Sequence, residues 1–149
     1  MEYFMHRFIF HGEEVYLRKL PWTRYTWTGH FLFHGIHHAF PQDRLRLTFP
    51  CVPAIPIFYT FITGPYYVTL PSNIFPPFAC GLILGYVIYD LCHYYVHHGK
   101  PTKGSYWDNM KLYHVQHHYK QGTIGFGVTS KVWDIVFGTE IVDYKTKNE

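Results

Sequence analysis

Between Arg46 and Asp90 the chain carries no Asp, Glu, Lys, Arg or His. At about 1.5 Å per helical residue, such a run is long enough to cross a hydrocarbon layer of about 30 Å twice if it turns near its middle. The stretch TLPSNIFPP supplies the turn residues Pro71, Ser72, Asn73, Pro76 and Pro77. The first arm, about Cys51 to Leu70, is interrupted by Pro53, Pro56, Gly64 and Pro65 and reads as a kinked helix. The second, about Phe78 to Val96, reads as an uninterrupted one. The bend is uncharged, whereas Arg44, Arg46, Lys100 and Lys103 flank the two open ends. The bias of basic residues toward the cytosol then puts both ends, and every histidine, on that side.

The flanks read as helices too, so the expected class is all-α: a membrane hairpin over about 50–96 beneath cytosolic helices that form a His-rich cap, in one domain over 1–149. Residues 1–20 alternate apolar and charged groups at a helical period and stop at Pro21. WTRYTWTGHFLFHGIHHA, from Trp22 to Ala39, and SYWDNMKLYHVQHHYKQ are the next candidates, followed by the glycine-rich bend GTIGFGVTS, the segment KVWDIVFGTEI and a polar tail, DYKTKNE. The N-terminal apolar run is broken by His6 and Arg7, so it is no signal peptide. A formal charge of +3 argues against a dedicated nucleic-acid binder. Cys51, Cys80 and Cys92 form no C-x-x-C and read as small apolar fillers.

Histidine is the outlier, with 12 residues. His34, His37 and His38 stand in an H-x-x-H-H spacing, and His114, His117 and His118 repeat it. Positions i, i+3 and i+4 of an α-helix share one face, as do His93 and His97 at i, i+4. His6 and His11, five residues apart, diverge by about 140° on an ideal helix and are expected to reach two neighbouring ions rather than one. These ten imidazoles exceed what one metal takes, so a pair of ions in one cavity is expected. Asp90, Asp108 and Asp134 are placed to orient ring N–H groups. His30 and His98 are expected to have other roles. A site without thiolates excludes an iron–sulfur cluster. If the reaction inserts oxygen into an unactivated C–H bond, the working metal should be iron, even where zinc occupies the sites.

The blocks HRFIFH, HGIHHAFPQDRLRLTFP, GYVIYDLCHYYVHHGKP, YHVQHH and GFGVTSKVWDIVFGT together resemble the fatty acid hydroxylase superfamily of histidine-box membrane oxygenases, and within it the fatty acid 2-hydroxylases of sphingolipid synthesis. The resemblance covers residues of about 2 to 142. It implies a multi-pass endoplasmic-reticulum enzyme with a cytosolic dimetal centre, hydroxylating the α-carbon of a long acyl or ceramide chain with O2 and electrons from cytochrome b5. The family's metal-binding histidines carry over onto His6, His11, His34, His37, His38, His93, His97, His114, His117 and His118. Family members usually have a further pair of membrane helices upstream and often a cytochrome b5 domain, so a truncated N-terminus and a cytochrome b5 acting in trans are expected.

An apolar channel lined by Phe58, Tyr59, Phe61, Tyr86 and Tyr89 is expected to hold the acyl chain, with Tyr94, Tyr95, Tyr113 and Tyr119 as hydrogen-bond donors to the carboxyl or as an interfacial belt. The competing readings are a sterol or carotenoid hydroxylase or desaturase of the same superfamily and a non-catalytic metal-binding membrane protein. A transporter is disfavoured, because it needs ionisable ligands near the bilayer midplane.

Overall fold

The computed structural model describes residues 2–12, 19, 23–47, 55–56 and 58–142. Among them the secondary structure is helical throughout. In chain order the elements are α1 (Glu2–Met5), the π-helical π1 (His6–Phe10), α2 (Thr23–His30), π2 (Phe31–Gly35), α3 (Ile36–Ala39), π3 (Phe58–Thr63), α4 (Gly64–Thr69), α5 (Phe75–His98), α6 (Tyr106–Tyr119) and α7 (Val132–Phe137). Parts of the expected helix over 1–20, residues 51–54 and 57 of the first arm, and the tail at 143–149 lie outside the described residues.

α5 starts three residues earlier than its hydropathy suggests. Pro76, expected in the turn, sits in its first helical turn, where a missing N–H costs no hydrogen bond. The helix is long and apolar enough to cross a membrane, and its most apolar stretch is nowhere buried. That surface suits membrane association. The chain reverses between Thr69 and Phe75, and the arms touch near the bend through Tyr66 on Phe78, at 4.7 Å, and Tyr67 on Phe75, at 5.2 Å between ring centroids.

The buried core lies elsewhere, where the C-terminal end of α5 meets α6 and the segments around α7. Val96, Met110, Tyr113, Val128 and Ile141 form it, with Tyr89, Trp107, Leu112 and Ile124 packed around them. α6 is capped by Ser105, whose hydroxyl accepts the Asp108 N–H, while Asp108 accepts the Gly104 N–H at 2.8 Å. α7 ends at Gly138, whose φ of 65° is a left-handed conformation that glycine adopts without penalty.

The glycine-rich bend packs against this core and is held from two sides. Asp134, fully buried, accepts the N–H of Phe126 at 2.9 Å, the N–H of Gly127 at 2.7 Å and the Thr139 hydroxyl at 2.8 Å. Glu2 accepts the N–H of Thr129 at 3.0 Å and its hydroxyl at 2.7 Å. A Cβ at Gly127 would lie 2.1 Å from the Ser130 carbonyl oxygen, so only glycine fits there. This bend joins the N-terminal helix to α7 and presents its carbonyls to the histidines.

Candidate metal centre

All ten histidines singled out above converge, and they do so as two groups of five: His6, His11, His34, His38 and His117, and His37, His93, His97, His114 and His118. Within each group one nitrogen per ring lies within 4.8 Å of all the others. The groups adjoin, with the His38 and His118 rings stacked at 4.2 Å. Each H-x-x-H-H element is divided between them. His34 and His38 go to the first group and His37 to the second; His114 and His118 go to the second and His117 to the first. The two helices thus exchange their i+3 rings, so neither group can assemble without both.

His6 and His11 belong to the same group, contrary to the expectation that they diverge. The His11 N–H donates to the His6 carbonyl at 2.9 Å, an i→i+5 bond, and one such wide turn brings residue i+5 back over residue i. π2 likewise widens the backbone at His34.

Some ring tautomers are set by the backbone. His6 Nδ1–H donates to the Phe126 carbonyl at 2.6 Å and His117 Nδ1–H to the Ile124 carbonyl at 2.8 Å, leaving both Nε2 lone pairs aimed into the first group. These carbonyls belong to the glycine-rich bend, and the anticipated carboxylate–imidazole contacts are not how the rings are oriented. Asp134 acts one step further out by holding the bend, Asp108 caps α6, and Asp90 is half-buried on α5. His30 and His98 lie outside both groups, and His30 donates instead to the Phe10 carbonyl. Tyr113 is buried, its hydroxyl accepting the Ile141 N–H at 3.3 Å, while Tyr94, Tyr95 and Tyr119 are exposed.

The spacing of these nitrogens fits a cation. His114 Nε2 lies 3.0 Å from His93 Nε2, 2.9 Å from His97 Nε2 and 3.0 Å from His118 Nε2. A neutral imidazole nitrogen carries one proton or one lone pair, so it can serve only one such neighbour along its axis. In the first group His38 Nε2 lies 3.0 Å from His34 Nε2 and 3.1 Å from His11 Nε2, which is 3.1 Å from His117 Nε2. Two nitrogens bound at right angles to one metal at about 2.1 Å sit about 3.0 Å apart, against about 3.4 Å in a tetrahedral site. His6 Nε2, both nitrogens of His37, and Nδ1 of His114 and His118 are buried without a hydrogen-bond partner.

Burial and mutual repulsion favour the neutral, ligating form of several of these rings. His6, His34 and His114 are held well below the ordinary imidazole range, chiefly by desolvation and then by neighbouring histidines. His118 is lowered for the same reasons, and burial brings His37 down to about 4.

A cavity of about 360 Å³ runs alongside α5 up to this centre. Its walls include Met5, Gly81, Gly85, Tyr86 and Trp133, and two of its lining rings touch the histidines. Phe10 stacks on His34 at 4.8 Å and Tyr89 on His93 at 5.5 Å, one ring for each group. Tyr86 and Tyr89 line it as expected, whereas Phe58 and Tyr59 do not, because their arm turns outward and leaves Tyr59 69% exposed. The side chain of Phe61 lies outside the described residues.

The sequence pattern of the fatty acid hydroxylase family matches residues 1–139. The chain is 43% identical over 144 residues to a fatty acid 2-hydroxylase of Mus musculus, covering 95% of this chain and 36% of that protein. It is 43% identical over 138 residues to a dihydroceramide fatty acyl 2-hydroxylase of Arabidopsis thaliana, covering 93% of this chain and 54% of that one. Full-length scs7p, a solved structure in which only the hydroxylase domain is visible, superposes with a TM-score of 0.79 at 40% identity over 94% of this chain and 50% of its own. The chain thus spans about a third to a half of the relatives it matches.

Proposed function

This chain belongs to the fatty acid hydroxylase family, and on that premise we propose that it hydroxylates the α-carbon of a long-chain fatty acyl or ceramide lipid for sphingolipid synthesis. The observation that carries the reading is the meeting of ten imidazoles in two adjoining groups beside an apolar groove. His6, His11, His34, His38 and His117 would hold one ion and His37, His93, His97, His114 and His118 the other. When bound, an iron pair supplies the O2 activation that insertion into an unactivated C–H bond demands and that a redox-inert ion cannot supply. One oxygen atom enters the C–H bond and the other leaves as water, with two protons and with two electrons delivered one at a time by reduced cytochrome b5 acting as a separate protein.

The protein's own part is positioning and exclusion. The groove beside α5 receives the acyl chain, Phe10 and Tyr89 line it where it meets the histidines, and the aromatic walls keep bulk water out. Residues 1–149 form the hydroxylase domain, with a hairpin over about 50–96 in the endoplasmic-reticulum membrane and the histidines facing the cytosol. The basic residues at Arg44, Arg46, Lys100 and Lys103 support that orientation.

The test is the full chain expressed in membranes, with and without added cytochrome b5, assayed for 2-hydroxy fatty acids and for metal by mass spectrometry. Two metal ions per chain and product that depends on cytochrome b5 are expected. Metal-free protein, or hydroxylated sterol in place of 2-hydroxy acyl product, would overturn the proposal.

A further inference from the structure

The cavity beside α5 is open where a membrane helix usually carries side chains. Gly81 and Gly85 both line it, four residues apart on one face. They continue a single i, i+4 ridge through Tyr89, which also lines the cavity, to His93 and His97 of the second group. A Cβ added at either glycine would meet no described atom within 4 Å. Close packing within the chain therefore does not demand glycine at either place, and both residues lie inside an α-helix, where glycine is a poor helix former. What the missing side chains do provide is room in the cavity.

We infer that Gly81 and Gly85 set how long an acyl chain the groove accepts, an inference that rests on the acyl-hydroxylase reading above for the identity of the occupant. The occupant is a lipid acyl chain because the groove's walls are mostly apolar and its lining rings include Phe10 and Tyr89, each stacked on a ring of one histidine group. A chain whose reacting carbon lies at the histidines must extend away along α5. Gly85 stands about 6 Å and Gly81 about 12 Å beyond Tyr89 along the helix axis, at 1.5 Å per residue. A side chain at Gly85 would therefore block nearer methylenes than one at Gly81, giving the two positions a graded effect.

The experiment uses the full chain in membranes with cytochrome b5 supplied, as wild type, G81L, G85L and G85A. Product chain length is read by mass spectrometry beside metal content per chain, and occupancy by cross-linking to a long-chain ceramide with a diazirine in its acyl chain. We expect unchanged metal content and a loss of long-chain product of about 10- to 200-fold, the range by which a hydrophobic pocket rejects a misfit. The loss should reach shorter chains in G85L than in G81L, and G85A should shift the profile in the same direction by less than G85L. Cross-links should map to the cavity walls in the wild type and fall in both leucine variants.

If the wild type cross-links there but makes no 2-hydroxy product, the acyl groove stands and the hydroxylase reading falls. An unchanged chain-length profile in both leucine variants at full metal content would overturn the inference. So would leucine variants that keep the cross-link but lose self-association on native gels, which would assign the glycines to a helix–helix contact.

Discussion

The two histidine groups have equal numbers of rings and similar nitrogen spacings, yet they are supported differently. In the first, His6 and His117 each donate through Nδ1 to a carbonyl of the glycine-rich bend, so their lone pairs are aimed by the backbone. In the second, His37 has no partner on either nitrogen, and Nδ1 of His114 and of His118 is buried and unpaired. The backbone therefore aims part of the first group directly, whereas the rings of the second are placed by the helices that carry them.

Removing a ring from the centre of either group should abolish function equally. H117A and H114A are each expected to lose about one ion per chain and to reduce 2-hydroxy product by more than the 10- to 100-fold typical of residues that only orient a ligand. Metal analysis of the two variants beside the wild type reads this, and a variant that keeps both ions breaks the division into groups.

Acid should act on the metal-free protein through the unfolded state. An imidazole of the unfolded chain titrates near 6.5, while His37 is held at about 4 in the fold. Between these values the unfolded chain binds a proton that the folded one refuses, so stability is unchanged above about pH 6.5 and falls as pH drops toward 4, by about 3 kcal/mol from this ring alone. His6, His34 and His114, also held well below the ordinary imidazole range, act in the same direction. Melting curves across this range check it; a metal-free protein as stable at pH 4 as at pH 7 would contradict the burial of these rings.

Chelation should separate the groups. Backbone support of the first is expected to make its ion about 10- to 100-fold harder to remove, giving two phases of release. G127A should merge them, because its Cβ would lie 2.7 Å from Asp134 Oδ2 and force the bend to move. The smallest effect belongs to K131A, which breaks the 2.7 Å pair with Glu140 beside α7. Partly exposed at both ends, that pair should cost no more than about 0.5 kcal/mol in a melting experiment, with both release phases intact.

Much of this was legible in the residues. The H-x-x-H-H spacings mark helical faces, the uncharged span between Arg46 and Asp90 contains most of the long apolar helix α5, and the ten ligand candidates follow from the histidine spacings. The pairing of His6 with His11 was not legible, since a 3.6-residue period separates them and only the i→i+5 bond at His11 unites them. Nor could spacing reveal the exchange of His37 and His117, which depends on how two distant helices face each other. The glycines of GTIGFGVTS signal a bend, but its carbonyl contacts to His6 and His117 are tertiary facts. Tyr59 was assigned to the channel by its aromaticity alone, and aromatic residues serve the outer surface of this fold as readily as its groove.

The wide turn at His6–Phe10 makes length tolerance at the chain's entrance one-sided. Deleting Ile9 would leave the two imidazoles four apart, a separation that an ordinary α-turn aligns without help. Inserting a residue would leave them six apart, where neither the α nor the π pattern superimposes them. Ions retained per chain should therefore survive shortening and fail on lengthening.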